Sequence, residues 1–217
     1  MMDIVMLAAG TSSRMGKENK MLLPYNGMPM VAHCCLGALR FLERYSLENN
    51  GSCTLIVVTG YRRQSVEKAL LPCKQFVEKT DAPVKMLIVN NPGYRNGQFS
   101  STKKGVAEVS EGSPFFISLA DMPLIKPDHY AALVPLLMGH DAVRPFCRTE
   151  DEKEEDKVPG HPVLHAYRLK DILIKCPDTW TVSKILKSHD VIEPSFDDTS
   201  WTQDIDMIRD YELISRP

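Results

Sequence analysis

Four runs of unbroken apolar character limit what this chain can become: Ile4–Ala8 (IVMLA), Thr54–Gly60 (TLIVVTG), Val84–Asn90 (VKMLIVN) and Pro114–Asp121 (PFFISLAD). Continuous rather than alternating hydrophobicity marks strands buried on both faces. Between and after them stand amphipathic stretches with helical spacing, at Met30–Arg44, Arg62–Leu71, Ser100–Val109 and Pro127–Met138. This alternation predicts an α/β fold with a mainly parallel sheet and right-handed crossovers.

The second half is less regular. Asp141–Phe146 and His161–Tyr167 read as strands, Thr181–His189 as a short helix with Thr181 as N-cap, and Ile205–Ile214 as a helix. Arg148–Lys157 (RTEDEKEEDK) is charged, without apolar period, and reads as an exposed loop. A chain of 217 residues with no internal repeat suits one domain around one sizeable core.

A net charge of −2 argues against a general nucleic-acid binder, which carries a basic surplus. No segment has the length of a membrane span, and Asp3 stands where a signal peptide would be positive. The six cysteines form no C-x-x-C pair, so they are expected to be reduced thiols rather than zinc ligands. Together these features give the expectation of a cytoplasmic protein that binds neither membrane nor nucleic acid.

Three short motifs carry the chemistry. The first, LAAGTSSRMGKENKMLLP, follows the first apolar run, where α/β proteins bind nucleotides beyond the carboxyl ends of their strands. It is not a Walker A loop: five residues separate Gly10 from Gly16, and Glu18 follows Lys17 where a hydroxyl is required. The dinucleotide pattern G-x-G-x-x-G is also absent. What remains is a turn of small residues that lets a ligand approach the backbone, with Arg14 and Lys20 to meet negative charge. An ordinary strand–turn–helix joint with solvated basic residues remains an equal reading. The second motif, SLADMPLI, puts Asp121 at the end of an apolar strand. It can hold a divalent cation against phosphates, or serve as a turn aspartate before Pro123. The third, QDIDM, places Asp204 and Asp206 at positions i and i+2, which share one side of an extended segment. A metal pair and a solvated acidic pair are both open.

In this order, LAAGTSSRMGKENKMLLP, ADMPLI and a late DID resemble the MobA-like nucleotidyltransferase family, and most closely its molybdenum cofactor cytidylyltransferase branch. GQFSS (Gly97–Ser101) and GHPVL (Gly160–Leu164) resemble that branch too, so the resemblance runs from residue 7 to about 206. It implies a three-layer α/β/α fold of the nucleotide-diphospho-sugar transferase type. In this reading residues 1–125 form a nucleotide-binding half and residues 126–217 an acceptor-binding half. It implies a nucleotide site at Leu7, Ala8, Ala9, Gly10, Thr11, Ser12, Ser13, Arg14, Lys20, Gly60 and Ser101. It also implies Mg²⁺ held by Asp121 with Asp204 and Asp206, an acceptor contact at Ser100 and His161, and catalytic roles for Arg14, Lys20 and Asp121. The double alanine of LAAG is similar to the cytidine-using members. The late motif departs from the family's usual D-I-D-T-P-E-D-Y, with Met207, Ile208 and Arg209 following DID.

The reaction so implied is transfer of a nucleotidyl group from CTP to a phosphorylated acceptor, molybdopterin or molybdenum cofactor, with release of pyrophosphate. A molybdenum hydroxylase apoenzyme would be a partner. Such transfers ask for alignment and charge neutralisation and need no nucleophilic side chain. Two rivals are a sugar- or polyol-phosphate nucleotidyltransferase, and a nucleotide-binding accessory protein that inserts a cofactor without transferring anything.

Overall fold

The computed structural model describes residues 1–12, 19–147 and 158–214. Ser13, Arg14 and the acidic stretch Glu150–Asp156 therefore lie outside the described residues.

In chain order the strands are β1 (Met2–Ala8), β2 (Pro24–Tyr25), β3 (Met28–Pro29), β4 (Cys53–Thr59), β5 (Val84–Asn90), β6 (Phe115–Leu119), β7 (Ala142–Val143), β8 (Phe146–Cys147), β9 (Val158–Pro159), β10 (Val163–His165), β11 (Val191–Ile192) and β12 (Ser195–Phe196). The helices are α1 (Met30–Asn49), α2 (Arg63–Ala69), α3 (Leu71–Lys79), α4 (Gln98–Ala107), α5 (Pro127–Leu133), α6 (Leu169–Lys175), α7 (Val182–Leu186) and α8 (Ile208–Ile214).

Among the described residues, seven strands form one sheet in the order β11-β7-β10-β6-β1-β4-β5. The four apolar runs are its centre and one flank: β1 pairs in parallel with β4 and β6, and β4 with β5. Only β10 runs antiparallel to its neighbours β6 and β7 in this sheet. Alternate residues of each central strand feed two separate cores. Ile4, Met6, Leu55, Val57 and Phe116 pack with α1, α3 and α5 on one face. Val5, Leu7, Ile56, Val58 and Ile117 pack with α4, α6 and α7 on the other. Apolar layers on both faces explain why these strands read as continuous rather than alternating.

Asp3 is buried in β1, and its carboxylate accepts hydrogen bonds from the backbone of Thr54 and Ser110 at 3.1 and 2.6 Å. An Asn26-Gly27 turn, both residues with positive φ, closes the β2–β3 hairpin. The helix read over Arg62–Leu71 is α2, and α3, which Pro72 starts and which runs on to Lys79, was not foreseen. Thr181 caps α7 as expected, accepting from Lys184 N at 3.1 Å. The expected strand over 141–146 is two short pieces in different sheets, β7 and β8, and α6 was not foreseen. No described helix is long and apolar enough to cross a membrane.

Candidate active site

The carboxyl ends of β1, β5 and β6 open onto a cleft of about 730 Å³. That lies within the ~300–1,000 Å³ common for small-molecule sites. Its walls include Leu7, Ala9, Gly10, Thr11, Ser12, Lys20, Ser101, Asp121, Asp204 and Asp206 from the sequence-derived set.

The first wall is the turn after β1. Ala9 O accepts from Tyr61 N at 3.3 Å, which ties the turn to the end of β4. Ser12 takes a positive φ of 52° and buries its hydroxyl. That hydroxyl accepts from Lys20 N at 3.1 Å and donates to Asn19 Oδ1 at 3.3 Å. Asn19 Oδ1 in turn caps the 3₁₀ turn Lys20–Leu22 by accepting from Met21 N at 3.0 Å. These local bonds fix the backbone from which Lys20 projects.

The second wall is acidic. Asp121 follows β6 and sits at 15% side-chain exposure. Ile205, fully buried, donates its N–H to Asp121 O at 3.0 Å, so the residues flanking it are pinned beside the end of β6. The result is a triad in which one ligand atom each from Asp121, Asp204 and Asp206 lies within 4.8 Å of the others. Lys20 Nζ lies 2.5 Å from Asp121 Oδ2 and 2.7 Å from Asp206 Oδ1. Burial pulls the Lys20 pKa down, but the two carboxylates outweigh it and hold it above the ordinary lysine value. Asp204 is held above the usual carboxylate range by partial desolvation and by the charges of Asp121 and Asp206.

This donor set suits a hard divalent cation. All three ligands are carboxylate oxygens, and Asp121 Oδ1 is buried without a hydrogen-bond partner among the described residues. The exposure of Asp204 and the partial exposure of Asp206 leave room for phosphate or water oxygens to complete an octahedron.

The third wall, the turn after β5, was read from the sequence only in its second half, GQFSS (Gly97–Ser101), while Tyr94 and Arg95 were missed. Tyr94, Arg95, Gly97 and Gln98 line the cleft. Asn91 organises them: its amide donates to Ser100 Oγ and Ser101 Oγ at 3.0 and 2.9 Å, and its Oδ1 accepts from Gly93 N at 3.0 Å. The available signal was NPGYRNG, a turn-rich segment directly after an apolar run, placed as the first motif is.

Several sequence-derived residues stand apart from the cleft. Ala8 is buried in β1 and packs into the α1 side of the sheet. Gly60 is a packing residue: a Cβ there would lie 2.8 Å from Tyr94 Cβ and 2.9 Å from Ala9 Cβ, so only glycine lets the first and third walls meet. Ser100 turns inward, donating to the carbonyls of Gly93 and Gly97 at 3.2 and 2.8 Å, and lines neither this cleft nor its neighbour. His161 lies in that neighbour, a cavity of about 410 Å³ that shares Gly97 and Gln98 with the cleft. Its ring Nδ1 is 3.5 Å from Ile117 O, and burial keeps its pKa below the ordinary histidine value.

Comparison with known proteins places this geometry. The curated molybdenum cofactor cytidylyltransferase of Escherichia coli (strain K12) is 26% identical over 209 residues, covering 96% of this chain and 93% of that protein. Among solved structures, Rv0371c from Mycobacterium tuberculosis H37Rv superposes with a TM-score of 0.71 at 22% identity, covering 99% of this chain and 96% of that one. A nucleotidyl transferase from Methanothermobacter thermautotroptrophicus gives a TM-score of 0.70 at 20% identity, over 99% of this chain and 96% of that one. A model of the MobA-like NTP transferase domain matches residues 4–192, from the first strand to the last of the large sheet. The chain belongs to the MobA-like NTP transferase domain family and is a nucleotidyltransferase.

Proposed function

We propose that the protein transfers a cytidylyl group from CTP to the phosphate of a pterin such as molybdopterin, in a reaction that requires Mg²⁺. One observation carries the reading: the Asp121–Asp204–Asp206 triad and Lys20 converge on the floor of a cleft whose other walls are strand-end turns. The full-length similarity to the E. coli cytidylyltransferase supports the choice of donor and acceptor.

In this reading the turn Ala9–Ser12 and the Tyr94–Gln98 segment hold the nucleotide between them. An acceptor phosphate oxygen forms a bond to the α-phosphorus while the bond to the β-phosphate bridging oxygen breaks and pyrophosphate leaves. Asp121, Asp204 and Asp206 would hold a divalent cation, which would supply charge neutralisation for the triphosphate. Lys20 stays protonated across neutral pH and meets negative charge that shifts onto the leaving group. A phosphate monoester is itself a competent nucleophile, so no side chain need act as a strong base.

Pyrophosphate release from CTP, GTP, ATP and UTP, with Mg²⁺ and molybdopterin, tests the assignment. Turnover with CTP, lost by at least about a hundredfold in Asp121→Asn with the fold retained, is the expected result. Turnover with GTP or UTP and none with CTP overturns the cytidylyl assignment.

A further inference from the structure

Met207, Ile208 and Arg209 replace the middle of the late motif, but Asp210 and Tyr211 follow them in the usual places. They belong to α8, into which Asp206 leads directly. This helix has seven residues and none of them is buried, while Tyr211 and Ile214 pack half-buried against the core. A helix so short is not stable by itself in water, so side-chain tethers must fix the chain after Asp206.

Asp210 is the first tether. Its Oδ2 accepts from Asp206 N at 3.2 Å and from Met207 N at 2.8 Å. In return Asp210 N and Tyr211 N donate to Met207 O at 3.0 and 3.3 Å. This is the acidic half of a capping box, closed without the threonine and proline of the usual motif. Tyr211 is the second tether. Its hydroxyl donates to Pro24 O at 2.7 Å, in the β2–β3 hairpin that follows the Lys20 turn. That hairpin is a firm anchor. Met30 N at the start of α1 donates to Leu23 O at 2.9 Å, and Tyr25 packs edge-on against His33 with ring centroids 4.7 Å apart. The His33 ring also interacts with the backbone of Pro123, two residues after Asp121. Through these contacts the hairpin links the segments that carry Lys20, Asp121 and Asp206.

The ammonium of Lys20 does not by itself prepare Asp206 for a cation. It lies on Asp206 Oδ1 at 2.7 Å, an oxygen that a cation at the triad would take. The backbone must then set where the carboxylate lies. Ile205, bonded to Asp121 O, fixes it from one side, and Asp210 and Tyr211 fix it from the other.

We infer that Asp210 and Tyr211 are positioning residues, which hold the backbone of Asp206 so that its carboxylate faces Asp121 and Lys20. The inference rests on the metal reading above for its effect on cation affinity, but the tethering of Asp206 needs neither metal nor turnover.

The test combines amide hydrogen exchange by NMR with Mn²⁺ titration by electron paramagnetic resonance, on the whole protein without nucleotide. The variants are Asp210→Ala, Asp210→Asn and Tyr211→Phe. Asparagine keeps an oxygen that can accept both N–H bonds, and phenylalanine removes only the hydroxyl. In Asp210→Ala the amides of Asp206 and Met207 should exchange faster, and the Mn²⁺ Kd should weaken about tenfold, the scale on which outer partners of metal ligands act. Asp210→Asn should restore most of both, and Tyr211→Phe should weaken the Mn²⁺ Kd by less than Asp210→Ala. Because α8 buries no residue, melting temperatures should stay near the wild-type value, which a general loss of packing would lower. Exchange at these amides that is indifferent to Asp210→Ala overturns the inference. So does an Asp210→Asn variant as weak as the alanine, because the charge of Asp210 and not its hydrogen bonds would then be the cause. Mn²⁺ binding unchanged in Asp121→Asn, with faster exchange in Asp210→Ala, would retain the tethers and remove the metal reading. CTP turnover lost in Asp121→Asn, with exchange indifferent to Asp210→Ala, would do the reverse.

Discussion

The ammonium of Lys20 sits 2.5 Å from the carboxylate of Asp121, and it reaches Asp206 at 2.7 Å from the same position. A divalent cation bound at the triad would therefore draw on the same oxygens as the lysine. Lys20→Met is expected to bind Mn²⁺ about tenfold more tightly in the absence of nucleotide, because the competing charge is gone. The same variant should lose about 3 kcal/mol of stability when metal-free, since it strands two partly buried carboxylates, and should regain much of it on adding Mn²⁺. Electron paramagnetic resonance of free Mn²⁺ and metal-dependent melting curves report both. An unchanged Mn²⁺ affinity would show that the ammonium does not compete. Because the Lys20 pKa is raised, the wild-type contact persists through neutral pH and is lost only well into the alkaline range.

A second prediction concerns acid. His165 is fully buried in β10, stacked on Phe115 with ring centroids 5.2 Å apart, and its pKa is pushed down to about 3 by burial. The unfolded chain takes up the proton near the ordinary 6.5 while the folded chain resists it. Stability is therefore full above about 6.5 and falls as pH drops toward 3. This ring alone accounts for roughly 3 kcal/mol between pH 8 and pH 4. Urea titrations across that range should show the slope, and His165→Phe should flatten it.

Packing of α4 on the sheet gives a third prediction. A Cβ on Gly105 would lie 2.3 Å from Val5 Cγ1 and 2.8 Å from Val58 Cγ2, both stiff β-branched side chains in the core. Gly105→Ala is expected to cost about 1–3 kcal/mol. Val5→Ala in the same chain should recover part of that, and a double-mutant cycle by denaturant titration measures the coupling.

A fourth prediction addresses the turn after β5. Asn91→Ala removes the amide that holds Ser100 and Ser101 and the oxygen that holds Gly93. We expect a loss of about 2 kcal/mol in stability and a KM for the nucleotide several-fold higher, with kcat less affected. Steady-state kinetics separate the two. A fall in kcat at constant KM would place Asn91 in the chemical step instead of in the nucleotide wall.

Much of this molecule was legible in its residues, for identifiable reasons. The strands β1, β4 and β6 stood out because cores on both faces require unbroken apolar runs, and the edge strand β5 stood out by its apolar run although Lys85 and Leu87 are exposed. The strands β7 and β11 are two residues each, too short to carry a period, and only their neighbours define them. The helix α3 follows almost directly on α2 and was not seen, although Pro72 near its start was the available cue. At the site, Asp121, Asp204, Asp206 and Lys20 could be named individually. Their meeting could not be read locally, because 186 positions separate Lys20 from Asp206 and the Ile205–Asp121 backbone bond brings them together. Gly60 and Ser100 show the opposite case, motif residues whose work is to hold walls rather than to face a ligand.

The reversed direction of β10 has a consequence for how such a protein can diversify. A parallel strand delivers to the site rim whatever follows it, as β6 delivers Asp121, whereas β10 delivers whatever precedes it, here Gly160 and His161. The two cavities are thus furnished by loops that reach one rim from opposite travel directions. Insertions ahead of β10 can lengthen, shorten or recompose one chamber while the register of β1, β4 and β6 stays as it is. The sheet acts as a two-socket chassis, in which one socket can be refitted without rewiring the other.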